Sequence, residues 1–368
     1  MSFASETLVL VVVAVACALP GAFLVLRRMA LVSDAISHVL LFGIVVAYFA
    51  TRDLDSPWLL AGAAATGVLT VALVELLQRT RLVKADAAVG LVFPAMFAAG
   101  VLLASIFLRN THLDVDAVLL GQPEYAANPR WHVAGRQVKP LWVMAGVLAL
   151  NVVLVGLFFK ELKLTTFDPE LAAALGFRPG LLHYGLMTVV SVTAVAAFDA
   201  VGPVLVVAFF VVPPAAAFLL TDRLAVLLVL AAVLGAVGAF AGTQLAVRLD
   251  ANIAGMVAAV LGALFAAVFA FAPGRGLFAQ AVRRLRQRRA FHVTMLAIHL
   301  LQHEGTGAEA DEARLDGLHR HLSWPVERVA AVVRRAERNG LVVRSGALLK
   351  LTEAGRVRAR EVLGERPA

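Results

Sequence analysis

Ser33-Asp34-Ala35-Ile36-Ser37-His38 lies in an otherwise apolar run and carries side chains that can bind metal ions. On a helix, positions 33, 34, 37 and 38 share one face, so both serines, Asp34 and His38 form a polar stripe. A carboxylate and an imidazole four residues apart can point towards one ion. An oxygen beside an imidazole nitrogen suits first-row divalent metals such as zinc, manganese or iron. The same spacing also serves an internal Asp–His pair that only ties helices together, and spacing alone does not separate the two readings. The other polar groups in apolar runs have plainer roles. Glu75 can snorkel from the inner end of its run, Asp86 suits the N-terminal dipole of its helix, Asp199 caps or hydrates a turn, and His183 is interfacial.

Two further segments carry conformational rather than chemical signals. In 161–179, Asp168 is a good N-cap, Pro169 suits the first helical position and Gly176 terminates, which predicts a two-turn helix that also carries Glu170 and Ala173. Such a capped helix outside the membrane could receive a push from a motor, or be simply an ordered loop. The apolar runs 180–200 and 202–221 are joined by Gly202-Pro203, too short for an ordinary loop. The second contains Pro213-Pro214, which removes two backbone donors and predicts a break or kink. Broken membrane helices are tolerated where they face protein or a cavity. Gly202, Pro203, Pro213 and Pro214 are therefore candidates for a translocation path, with a plain kink as the alternative.

The elements that must hold these residues are membrane spans. Of 368 residues, 61% are hydrophobic and only 16% charged, with a mean hydropathy of +0.85. Soluble domains carry about 45–50% apolar and about 25% charged residues, so a soluble enzyme and a disordered chain are both excluded. Nine runs reach the length of about 20 residues needed to cross a bilayer: 6–26, 29–50, 57–78, 85–108, 140–160, 180–200, 202–221, 224–247 and 252–273. In this setting Asp34 and His38 are intramembrane ionisable residues, which are costly and by default mark function. Glu6 precedes the first run and no basic n-region does, so a retained helix is expected. Arg27-Arg28, Arg79, Arg81, Lys84, Lys160, Lys163, Arg178, Arg223 and the basic run 283–289 fall on one side, which predicts the N-terminus outside and the C-terminus in the cytoplasm.

Charge divides the chain. Residues 1–274 hold 15 basic and 15 acidic side chains, whereas 275–368 hold 18 basic and 10 acidic, a surplus of eight that is the whole net charge. The break at Pro273-Gly274-Arg275-Gly276 predicts a transmembrane domain over 1–274, a basic linker over 275–290 and a cytoplasmic domain over 291–368. The single cysteine, Cys17, lies in an apolar run and permits no intrachain disulfide.

Arg28-Met29-Ala30-Leu31 followed by Ser-Asp-Ala-Ile-Ser-His, then 85–90, 167–176 and 201–207 with the following Pro-Ala run, resemble in colinear order the permease subunits of zinc/manganese/iron ABC importers. The likeness covers roughly 6–273. It implies a multi-pass permease of the bacterial inner membrane, working with a cytoplasmic ATP-binding subunit, an extracytoplasmic metal-binding protein and a second permease, identical or paralogous. It implies that Asp34 and His38 form the metal site of the path, that 168–176 docks on the ATPase, and that the metal is cargo with no resident cofactor. Ser33 stands where glycine is common in that family, and Pro213-Pro214 replaces a single proline. No Gly-x-x-x-x-Gly-Lys-Ser/Thr sequence occurs, so the chain lacks a phosphate loop and is not itself the ATPase. Zinc sites commonly use four ligands and the pair supplies two. Two copies around a shared path would complete the set.

The tail reads as an amphipathic helix over 291–303, a segment 314–322, a helix over 325–339 opened by Ser323-Trp324-Pro325 with Ser323 as N-cap, a hairpin over 341–351 and a last helix opened by Thr352. This resembles the winged-helix domain of metal-dependent repressors. Arg328, Arg334, Arg335 and Arg338 could contact phosphates, but a membrane tether restricts access to DNA, so an interaction module is expected. His299 and His303 beside Glu304 could bind a regulatory metal, with a solvated helix face as the plainer account. The fold class is thus an all-α polytopic membrane protein with a small winged-helix α+β domain. A divalent-metal permease leads. A membrane-tethered DNA-binding regulator and an ion-coupled secondary porter are the competing readings.

Overall fold

The computed structural model describes residues 3–52, 58–107, 131–133, 136–138 and 140–364, which fall into two compact units, Met1–Gly276 and Leu277–Ala368.

In the first unit, among the described residues, nine helices are long and apolar enough to cross a membrane. They are α1 (Phe3–Leu26), α2 (Ala30–Thr51), α3 (Trp58–Arg79), α4 (Ala85–Phe107), α5 (Pro140–Leu157), α8 (Pro179–Val201), α9 (Pro203–Leu220), α10 (Leu224–Leu249) and α11 (Ile253–Phe271). Two short helices, α6 (Phe159–Phe167) and α7 (Pro169–Ala174), separate α5 from α8. A small antiparallel pair, β1 (Trp131–Val133) and β2 (Arg136–Val138), precedes α5 with Trp131 opposite Val138. The chain is therefore a mostly helical, multi-pass membrane protein, as its hydropathy requires. The segment 108–130 and the side chains of Asp86 and Asp199 lie outside what the structure describes.

Helix α1 is apolar on every side, and a helix of that kind is buried. Leu10, Val13, Ala14, Cys17, Ala18, Phe23 and Leu24 are fully enclosed, packed by α5, α8, α9 and α10. Between lipid-borne helices the gain comes from close packing rather than from release of water. Large apolar side chains elsewhere, such as Leu76, Val153, Val229 and Phe271, point outwards, as lipid-facing positions do.

The break expected at Pro213-Pro214 does not occur, since α9 runs unbroken from Pro203 to Leu220. The two prolines lack the N–H groups that would bond the carbonyls of Phe209 and Phe210. Neighbouring helices tolerate such freed groups in membranes, and here the backbone of α1 passes close to one of them at Gly21. A Cβ at Gly21 would collide with the Phe210 carbonyl oxygen, so only glycine lets the two backbones approach there.

The second unit comprises α12 (Leu277–His303), α13 (Glu309–Glu312), α14 (Leu318–His321), α15 (Val326–Arg338), a hairpin of β3 (Val342–Ser345) and β4 (Leu348–Leu351), and α16 (Glu353–Leu363). The basic stretch is helical from Leu277 onwards. Val293, Leu296, Ala297 and Leu300 of α12 recur at helical spacing and close a separate core with Leu318, Val329, Val333, Val342, Leu349 and Ala359. The hairpin pairs Val342 with Leu351, and Thr352 caps α16 by accepting from Gly355 N at 3.1 Å. Ser323 does not cap α15. It has a positive φ of 52°, and the helix starts after Pro325 without a side-chain cap, because a left-handed residue two positions upstream cannot aim its hydroxyl at the first turn.

Candidate functional site

Asp34 and His38 both lie on α2, one turn apart, with His38 Nε2 3.5 Å from Asp34 Oδ1. Their side chains are 44% and 32% accessible, so a binding group can reach both. Phe93 and Phe97 of α4 flank the imidazole, with ring centroids 5.5 and 5.8 Å away. The polar stripe divides at this point. Ser33 and Ser37 are buried, and their hydroxyls donate to the helix's own carbonyls, Ala30 O at 2.7 Å and Ser33 O at 2.9 Å. Such bonds spend the hydroxyl hydrogens on the backbone. Among the described residues, no third imidazole, thiol or carboxylate completes a cluster with Asp34 and His38. Among the described residues this accessible face thus offers one oxygen and one nitrogen ligand, and two ligands are half of a tetrahedral set.

Helix α7 is fixed at both ends by its own sequence. Asp168 Oδ1 accepts from Leu171 N at 2.9 Å, and Pro169 takes the first helical position. Beyond Ala174, Gly176 has φ +87°, Gly176 N bonds Ala173 O and Phe177 N bonds Ala172 O, both at 3.0 Å. This is the Schellman pattern, which requires a left-handed residue after the helix. Ala172 is the buried anchor. Asp168, Pro169, Glu170, Ala173 and Gly176 are all exposed, and so are Phe167, Leu171, Leu175 and Phe177. Exposed large apolar side chains outside a membrane span are candidates for an interaction surface.

Sequence reasoning missed what stands behind this surface. Arg27, in the turn between α1 and α2, donates from Nε to Thr166 Oγ1 and from Nη2 to Thr165 Oγ1, both at 3.2 Å. Its Nη1 lies 3.3 Å from His183 Nδ1 of α8. The end of α6, one residue before Asp168, is thereby tied to the first two spans. By sequence alone Arg27 reads only as loop charge. Glu75 likewise does more than snorkel: it bonds Tyr184 of α8 as well as Arg79 at 2.8 Å, joining α3 to α8.

Gly202 is the one-residue joint between α8 and α9. Gly202 has φ 80° and ψ 165°, a region essentially reserved for glycine, and Pro203 starts the next helix. Both are buried, as are Pro213 and Pro214.

In the second unit, Arg328, Arg334 and Arg338 are exposed and Arg335 is half-buried. Glu304 does not join His299 and His303, because Arg356 of α16 holds it through Nε at 3.0 Å and Nη2 at 2.8 Å.

The model of the ABC 3 transport family matches residues 3–272. The zinc transport system membrane protein TroD of Treponema pallidum is 49% identical over 353 residues, covering 95% of each chain. The manganese transport system membrane protein MntD of Bacillus subtilis is 46% identical over 277 residues, 75% of this chain and 94% of that one. Among solved structures, PsaBC from Streptococcus pneumoniae in complex with Fab is similar with a TM-score of 0.64 at 25% identity, covering 78% of this chain and 96% of that chain. The 353 aligned residues extend beyond the first unit's last residue, Gly276, so the likeness to TroD reaches into the second unit.

Proposed function

This chain belongs to the ABC 3 transport family and is a permease subunit of the zinc/manganese ABC transporter type, and we propose that it passes a divalent transition metal across the bacterial inner membrane through a path lined by Asp34 and His38. The accessible Asp34–His38 pair on a membrane helix is the observation that carries the metal site. The family match favours a permease over a membrane-tethered DNA-binding regulator.

In this reading the N-terminus is outside and the second unit is cytoplasmic. A second permease, identical or paralogous, contributes the other half of the ligand set. An extracytoplasmic metal-binding protein delivers the ion, with manganese or zinc, the metals named for the relatives, ahead of iron. A cytoplasmic ATP-binding subunit seats on the exposed α7 and its apolar neighbours. Motion of α7 passes through Thr165 and Thr166 to Arg27, and so to the turn that leads into the helix carrying Asp34 and His38. The residues around Gly202-Pro203 and Pro213-Pro214 shape the inner wall of the path.

The second unit is a winged-helix-like module, with α15 in the recognition position and the hairpin as wing. It serves protein interaction or regulation rather than DNA reading. The reading is tested by uptake of radioactive manganese and of zinc into vesicles containing the complex reconstituted with its ATPase. ATP-dependent accumulation confirms it, and accumulation without any ATPase would sink it in favour of a secondary porter.

A further inference from the structure

Four potential ligands converge in the second unit on elements far apart in sequence. His299 and His303 lie one turn apart on α12, with ring centroids 4.9 Å apart. Glu312 closes α13, and its Oε2 stands 3.4 Å from His299 Nε2 and 2.8 Å from His321 Nδ1 at the end of α14. The His299 and His321 rings stack at 6.2 Å. Each of His299, His303 and Glu312 can offer one ligand atom such that all three lie within 4.8 Å of one another.

The geometry points to a second metal site, distinct from the path: His299, His303 and Glu312, joined by His321, bind one zinc-class divalent ion. Three imidazole nitrogens with one carboxylate oxygen suit zinc, which takes such donors at about 2.0–2.2 Å in tetrahedral array. Two such bonds span at most about 4.2 Å, against the 4.8 Å within which the atoms of His299, His303 and Glu312 already lie, so these three close on an ion by small rotations once His299 gives up its contact with the Glu312 carbonyl, while His321 must turn from Glu312 Oε2 to join them.

The frame supports those rotations without letting the ligands scatter. Leu296 and Leu300, beside the two histidines on α12, are buried. The peptide after Glu312 is pinned to the hairpin, with Leu349 N donating to Ala313 O at 3.0 Å and Leu315 N to Ala347 O at 3.1 Å. Glu304, the carboxylate nearest in sequence, is held away by Arg356, which leaves Glu312 as the acidic ligand. An ion here would clamp α12, α13 and α14 together against the hairpin. This inference does not rest on the transport reading.

The test uses the full-length chain in detergent with a histidine-free affinity tag and with Asp34→Ala and His38→Ala, which removes the path pair. Co2+ is titrated as the spectroscopic probe, followed by Zn2+. The expected result is one equivalent bound with the intense ligand-field bands of a tetrahedral site, displaced by zinc. His303→Gln and His321→Gln should each weaken binding at least tenfold, on the order of the loss known even for outer-shell changes, while the helical circular dichroism stays unchanged. His299 is more enclosed than Glu312 and His321, so the His303 and His321 variants keep the test interpretable if its own variant misfolds. Absence of tetrahedral bands, or bands that persist undiminished in the His303→Gln/His321→Gln double variant, would overturn the site. Loss of uptake in the path variant bears on transport alone.

Discussion

Asn151 Nδ2 of α5 donates to the backbone carbonyl of Ala16 in α1 at 2.9 Å, and that carbonyl is the one that Pro20, four residues on, leaves without its helical donor. Asn151 is fully buried, and its amide also bonds Thr193 Oγ1 of α8 at 3.0 Å. One side chain therefore repairs the central helix and joins three spans. Asn151→Leu should destabilise the protein by about 1–3 kcal/mol, the usual consequence of stranding buried polar groups. The same change made on a Pro20→Ala background should cost less, because the restored N–H satisfies Ala16. Thermal unfolding of the four proteins in one detergent measures the coupling, and equal losses on both backgrounds would contradict it.

Asp34→Ala and His38→Ala should each abolish metal uptake while leaving expression and assembly intact, since both side chains are accessible and neither holds the core. Wild-type uptake by both variants refutes the assignment. The shared site carries its own test. A metal-bound structure should show Asp34 and His38 coordinating together with groups of a second permease, and coordination wholly within one chain would exclude that arrangement.

Glu170→Arg combined with Ala173→Arg should leave α7 folded, because its caps at Asp168 and Gly176 and its anchor at Ala172 are untouched. It should nonetheless lower transport per ATP hydrolysed by the partner subunit. Arg27→Gln should weaken the same coupling from behind, by releasing Thr165 and Thr166. Simultaneous measurement of hydrolysis and uptake in proteoliposomes decides the matter, and normal coupling in both variants would place the contact elsewhere.

Deleting residues 277–368 should leave a membrane-inserted first unit, because all nine candidate spans end by Phe271 and the two cores share no residue. In the full-length protein the second unit should show little sequence-specific DNA binding. A tight operator complex that keeps its specificity at physiological salt would contradict the interaction-module reading.

Acid should loosen the second unit at one identifiable contact. Arg356, hydrogen-bonded to Glu304, holds that carboxyl below the ordinary carboxylate range. A depressed folded-state value contributes stability above the unfolded value of about 4.3 and loses it as pH falls through the folded one. Amide protection of α16, corrected for intrinsic exchange, should therefore drop on acidification below about pH 4. Glu304→Gln should begin lower and lack that step. An unchanged pH profile in the variant would assign the acid sensitivity to other groups.

The sequence by itself determined the membrane body, the number of candidate spans and the ends of α7, since hydropathy, Asp168-Pro169 and Gly176 act locally. It also placed Asp34 and His38 on one turn, because i, i+4 spacing is a property of any helix. Tertiary packing decided the rest. Pro213-Pro214 reads locally as a break, yet the backbone of α1 passes close to the freed carbonyl of Phe210 at Gly21 and α9 continues. Ser33 and Ser37 share a helical face with Asp34 and His38 by spacing, but the neighbouring helices bury them while leaving Asp34 and His38 accessible. Arg27 with Thr165, Asn151 with Ala16, and His299 with Glu312 are separated by anywhere from 13 to 138 positions. No periodicity links residues so far apart, because only the folded chain brings them within hydrogen-bonding distance.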